Sequence, residues 1–290
     1  MSKLKKVKFI IQPPSKHWVG DGFHVHSMFH PQMGDIYPHT SPFIMMDFAP
    51  PKEFSKTTKK RGVGEHPHKG FETVTFAFEG EVEHRDSAGG GGIIKKGDVQ
   101  WMTAASGLVH EEFHSRDFAE QGGLFEMVQL WVNLPKKDKN APPRYQGIKN
   151  EQFPKVNPID GVHLELIAGT FADLLGPCKT FTPITMFTLK MDKGSEFNFE
   201  LEQNRNLLIL QRKGHIFVNN NDLKKEHLAI FEREGEQVEV TAMDDSELLI
   251  LSGEPIDEPI FAYGPFVMNS KEEIIQAIEE FNKGKMGRLG

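Results

Sequence analysis

Bulky apolar residues recur along most of the chain in short alternating runs separated by Gly, Pro, Asn and Asp, the spacing of strands and tight turns rather than of helices. Residues 70–80 carry Phe71, Val74, Phe76 and Phe78 between two glycines, and residues 123–134 and 181–191 follow the same logic. A further series falls at 207–211, 215–219, 228–232, 237–241 and 247–252. Helical periodicity is nearly absent until the C-terminus. There Ile274, Ala277, Ile278 and Phe281 lie at i, i+3, i+4 and i+7, after a Ser270–Glu273 capping box and before Gly284. The pattern predicts an all-β protein ending in a short helix.

The length of 290 residues suits two domains at roughly 100 to 200 residues each. Residues 135–147, charged and rich in Pro, make the best linker, with Lys136–Lys139 read as a solvated cluster. The expected division is 1–138 and 139–290, with no residue-level repeat between the two halves. The 27 Gly and 18 Pro fit a turn-rich fold. A net charge of −7 provides no positive field for direct nucleic-acid binding. The single cysteine, Cys178, cannot form an internal disulfide and reads as a small buried hydrophobe, which suggests a reducing compartment. The N-terminal apolar run stops at Phe9, Ile10 and Ile11, too short for a signal peptide, and no run is long enough for a membrane helix. A cytoplasmic location is expected.

Ten of the 13 histidines lie in the first 114 residues. Residues two apart on a strand share a face, so His66 and His68 can present two imidazoles to one ion. His110 and Glu112 repeat that spacing, and together the four form a three-His, one-carboxylate donor set. A lone His-x-His pair is ordinary, and the second pair is what points to metal. Open coordination positions favour Fe(II), with Ni, Cu, Mn or Zn able to occupy the same donors. The pair His24 and His26, with His30 nearby, has no carboxylate at matching spacing and reads as solvated loop or edge histidines. His84 and His114 are candidates to orient the ligands. Gly89–Gly92 lacks a following Gly-Lys-Ser/Thr and reads as a hairpin turn, not a phosphate loop.

The His66-x-His68 segment followed by Phe71-Glu-Thr-Val-Thr75, and above all residues 97–112 (Gly-Asp-Val-Gln-Trp-Met-Thr-Ala-Ala-Ser-Gly-Leu-Val-His-Glu-Glu), resemble the pirins of the cupin superfamily. Residues 42–48 and 263–269 also look like pirin segments, so the resemblance spans nearly the whole chain. It implies a bicupin of two β-barrels (double-stranded β-helices), with a metal, usually iron, in the N-terminal barrel. The family's ligands map onto His66, His68, His110 and Glu112. A general cupin pattern, His-x-His-x3-Glu, would instead choose Glu72; the pirin pattern prefers Glu112 and leaves Glu72 beside the ligands. The second barrel has His215 and His227 but no His-x-His, implying no metal there.

Two activities follow from the resemblance. One is cleavage of quercetin or a related flavonol by O2, with Glu112 as general base and carbon monoxide released. Trp101 and Met102 are then candidate walls for the aromatic substrate. The other is a redox-sensitive regulator that binds protein partners.

Overall fold

The computed structural model describes residues 3–290, which group into two compact units. The His-rich unit contains β1 (Phe43–Phe54), β2 (Gly62–His68), β3 (Phe71–Glu79), β4 (Val82–Asp86), β5 (Gly91–Ile94), β6 (Val99–Thr103), β7 (Leu108–His114) and β8 (Gly123–Asn133). The second unit contains β9 (Ile184–Met191), β10 (Glu196–Glu200), β11 (Asn206–Lys213), β12 (Ile216–Val218), β13 (Asn221–Leu223), β14 (Leu228–Phe231), β15 (Gln237–Ala242) and β16 (Ser246–Gly253).

The two units repeat one topology. In the first, β6-β3-β8-β1 is the centre of a seven-stranded sheet, extended by Arg144–Ile148 beyond β6 and by Phe23–Phe29 and His17–Val19 beyond β1; β2-β7-β4-β5 forms a four-stranded sheet. In the second, β14-β11-β16-β9 is extended by Val7–Ile11 beyond β14 and by Val162–Ala168 and Lys155–Ile159 beyond β9; β10-β15-β12-β13 forms the smaller sheet. The duplication that residue identities conceal is therefore plain in strand order.

Alternation sets each core. Strand β10 buries Phe197 and Phe199 and exposes Glu196, Asn198 and Glu200. Those rings pack with Phe187, Ile209, Ile250, Val238 and Val240 from both sheets of the second unit. Strand β3 is buried on both faces over most of its length, so its sequence shows no clear alternation. The C-terminal helix, Lys271–Asn282, has the expected capping box, with Ser270 Oγ accepting from the Glu273 N–H at 3.2 Å and Glu273 Oε2 accepting from the Ser270 N–H at 3.0 Å. Its Ile274 and Ala277 pack against Val109, Phe266 and Met268.

The units are not the expected halves 1–138 and 139–290. One comprises the described residues up to Pro14, Gly34–Pro42 and Glu151–Pro255; the other comprises Ser15–Met33, Phe43–Asn150 and Ile256–Gly290. Strand pairing explains the exchange, because Val7–Ile11 completes the sheet at β14, while the C-terminal helix buries its stripe on Val109 of β7. The 135–147 stretch is solvated at Lys136 and Lys137, as expected, but it is not a linker throughout. Arg144–Ile148 pairs with β6, and Lys139 is buried, its Nζ donating to Gly70 O, Val267 O and Asn133 Oδ1. Cys178 is buried, and burial pushes its thiol up to about 12. No helix among the described residues is long and apolar enough to cross a membrane.

Candidate metal centre

Strands β2 and β7 pair antiparallel with His66 opposite His110, and the register shifts between His110 and Glu112, a bulge that re-aims the side chains beyond it. Gly62 makes this possible, since a Cβ there would lie 2.1 Å from the Glu112 carbonyl oxygen. The result brings one nitrogen each of His66, His68 and His110 within 4.8 Å of one another, and His84, His110 and Glu112 equally close. Among the described residues, both groups of potential metal donors lie in the His-rich unit.

Hydrogen bonds define which nitrogens are free. Asp86 Oδ2 lies 3.1 Å from His84 Nε2, and His84 Nδ1 lies 3.3 Å from His110 Nδ1. The carboxylate accepts a hydrogen bond from His84 Nε2–H, so His84 Nδ1 accepts from His110 Nδ1–H, leaving the lone pair on His110 Nε2. That nitrogen is buried and has no hydrogen-bond partner, as is His68 Nδ1. His66 Nδ1 bonds the Gly64 carbonyl at 2.7 Å, which frees its Nε2 in the same way. Both nitrogens of His84 are engaged, so His84 orients His110 rather than competing with it. Burial, reinforced by neighbouring histidines, holds His68 and His110 well below the usual imidazole range, so both are neutral donors at pH 7. Orphaned imidazole nitrogens and a carboxylate converging in this way suit a divalent metal ion.

Glu112 is buried and held by polar side chains from the larger sheet. Its Oε1 accepts from Gln100 Nε2 at 2.5 Å and Thr75 Oγ1 at 3.3 Å, while Oε2 has a 3.4 Å contact from Gln129 Nε2. Tyr145 donates to Gln100 Oε1 at 3.3 Å, turning the amide's NH2 toward Glu112, and its ring stacks on His84 at 5.0 Å. A cavity of about 290 Å³ opens over His66, His68 and Glu112, walled by Phe23, Met45, Met127 and Trp131, with Asp47 and Gln129 as polar groups. Ser27 hydrogen-bonds Asp47, and burial pushes the Asp47 carboxyl up.

Several expected neighbours lie elsewhere. Thr75 and Gln100 face Glu112, so by strand alternation Glu72 and Trp101 face the opposite side of the sheet. Glu72 accepts from the Thr103 hydroxyl at 2.6 Å and lies 3.7 Å from Arg144, outside the donor cluster. The tryptophan at the cavity is Trp131, and its methionines are Met45 and Met127; Met102 packs with Ala104, Leu108 and Tyr145. His114 sits among Phe23, Phe54, Phe118 and Phe125 and bonds Gly22 O at 2.9 Å, two positions beyond Glu112. His24 stacks on Trp18, and His26 is buried rather than solvated.

Sequence reading missed Asp86, Gln100, Gln129 and Asp47. Each had a signal: Asp86 stands two residues after His84, and the other three interrupt apolar runs, Gln100 and Gln129 at buried strand positions and Asp47 at a half-buried one. In the second unit, the inward positions of β10 and β15 are Phe197, Phe199, Val238 and Val240, and a four-strand row behind them is Ala229, Ile209, Ile250 and Phe187. Among the described residues, those inward positions carry apolar side chains.

Family models for Pirin and for the Pirin C-terminal cupin domain match residues 23–132 and 186–287. A Pseudomonas aeruginosa protein carrying the provisional name quercetin 2,3-dioxygenase is 46% identical over 286 residues, covering 98% of this chain and 99% of its own. Human pirin is 35% identical over 253 residues, covering 85% of this chain and 83% of its own. The crystal structure of quercetin 2,3-dioxygenase from Acinetobacter baumannii superposes with a TM-score of 0.95 at 47% identity, covering 99% of this chain and 100% of its own.

Proposed function

The chain belongs to the pirin family of cupin proteins, and on that premise we propose that it is a metal-dependent dioxygenase that opens quercetin or a related flavonol with O2. His66, His68, His110 and Glu112 are the proposed ligands, and Fe(II) the proposed ion, because this donor set extends the open-sited arrangement of non-haem iron oxygenases. The observation that carries the reading is the convergence of the unpartnered His68 Nδ1 and His110 Nε2 with Glu112 beside an apolar cavity. When bound, the ion would supply Lewis acidity that lowers the pKa of a substrate hydroxyl.

The protein's own groups do the rest. Glu112 Oε1 is already occupied by Gln100 and Thr75, whereas Oε2 has only the long Gln129 contact, so Oε2 has the capacity to take the flavonol 3-hydroxyl proton. Trp131, Phe23, Met45 and Met127 exclude water and hold a planar ring against the ligands. Asp47, opposite Gln129 on the neighbouring strand, offers a polar contact to a second hydroxyl. Attack of O2 on the resulting flavonolate opens the ring and releases carbon monoxide.

Titrating iron-loaded protein with quercetin under anaerobic conditions tests the binding step. The visible absorption of quercetin should shift to a saturating end point with wild-type protein and remain unshifted with apoprotein or His110→Ala. No shift with fully loaded wild-type protein would remove quercetin from the metal and favour a regulatory role.

A further inference from the structure

The second unit retains a cavity that the dioxygenase reading leaves unused. We propose that it is a separate, metal-independent binding site for a small aromatic monocarboxylate. The cavity measures about 530 Å³, within the usual range of roughly 300 to 1,000 Å³ for ligand sites. Its walls include Phe171, Phe197, Phe199 and Leu201, with Thr185 and Arg205 as polar groups. Phe171 and Phe199 meet edge to face at 5.9 Å, and Phe197 stacks on Phe199 at 5.5 Å, so the pocket presents both ring faces and ring edges.

Arg205 supplies the anion recognition. Its side chain is only 11% exposed, yet its ion-pair partner Glu202 is 74% exposed. A ligand carboxylate can replace Glu202 at little cost, because the released glutamate returns to full hydration while the shielded guanidinium exchanges one carboxylate partner for another. Arg205 Nη1 also reaches Thr185 Oγ1 at 3.5 Å, which ties the cation to the cavity wall.

A second observation points the same way. Ser252 is fully buried, and its hydroxyl has no hydrogen-bond partner. It stands opposite Thr185 in the ladder, so the two side chains share one face of the sheet. That face is the inward one, since Phe187 and Ile250, two residues away on the same strands, belong to the core. Ser252 is not itself part of the cavity wall, but Thr185 is, so a ligand oxygen at Thr185 would lie one cross-strand pair from a buried hydroxyl that has no partner. Asp173 and Glu200 stand at the exposed rim and disfavour polyanions, so a single carboxylate fits better than a phosphate.

The test uses full-length, metal-loaded protein and 4-fluorobenzoate, with binding followed by 19F NMR line width. Saturable binding is expected and should persist unchanged in His110→Ala. Arg205→Gln should weaken it by about tenfold or more, the scale of a lost charge-assisted hydrogen bond, and neutral 4-fluorobenzamide should bind wild-type protein similarly weakly. If Arg205→Gln does not fold by circular dichroism, Thr185→Val and the amide comparison carry the same test. Absence of saturable binding would overturn the proposal, as would binding lost in His110→Ala or indifferent to both Arg205→Gln and the ligand's charge.

Discussion

Replacing Asp86 by Asn should reverse a chain of protons that ends at the metal-facing nitrogen of His110. In the wild-type protein Asp86 Oδ2 accepts from His84 Nε2–H at 3.1 Å, and His84 Nδ1 accepts from His110 Nδ1–H at 3.3 Å. Burial acts to raise the Asp86 carboxyl, but bonds from His84, Gly90 and Ala88 hold it below its usual value. An Asn carbonyl would still accept the Ala88 and Gly90 N–H groups, each 2.9 Å from Oδ1, so the turn is kept. Its NH2 then faces His84 Nε2, which must become the acceptor. His84 Nδ1 becomes a donor, His110 Nδ1 accepts, and the His110 proton moves to Nε2, the position a metal needs. Losing such an orienting partner typically weakens metal binding 10- to 100-fold, about 1.4 to 2.7 kcal/mol. Competition against a chromophoric chelator measures the affinity, and 15N NMR of the imidazoles reports which nitrogen is protonated in the apoprotein. An Asp86→Asn affinity within twofold of wild type would refute the proton chain.

The remaining predictions concern the groups around that chain. Glu72→Gln should leave bound metal unchanged by elemental analysis, because Glu72 faces away from the donors; loss of the ion would reinstate it as a ligand. The same variant should flatten a pH dependence. Burial raises Glu72 to about 7 in the folded state, so between about pH 4.5 and 7 the folded chain holds a proton that the unfolded chain releases. Wild-type stability should therefore fall with rising pH across that window, by at most about 1.4 kcal/mol per pH unit, as read by urea denaturation. Gly62→Ala should lower metal content sharply, since its Cβ would lie 2.1 Å from the Glu112 carbonyl oxygen; full metal occupancy would show that the bulge can relax. Ser270→Ala should cost about 1 kcal/mol through the lost cap, and an unchanged denaturation midpoint would count against it.

The spacing of His66, His68, His110 and Glu112 was legible because strand alternation fixes which residues share a face; the structure groups His66 with His68 and His110, and groups Glu112 with His110 and His84. Alternation does not say which face points inward. Strand β3 is apolar or buried on both sides, so nothing in its sequence separated Thr75, which bonds Glu112, from Glu72, which does not. The same ambiguity put Trp101 near the substrate in place of Trp131. Domain membership was hidden for a different reason. Val7–Ile11 pairs with a strand more than 200 residues away, and no local pattern encodes that partner. The terminal helix, by contrast, is specified by local chemistry, and its cap appears as written in the sequence.

The most direct test of the account is oxygen uptake by anaerobically iron-reconstituted protein on addition of quercetin, with carbon monoxide measured in the headspace and His110→Ala as control. Wild-type protein should consume O2 and release carbon monoxide in equal amounts, and the variant should do neither. A fully iron-loaded protein that consumes no oxygen would contradict the dioxygenase reading.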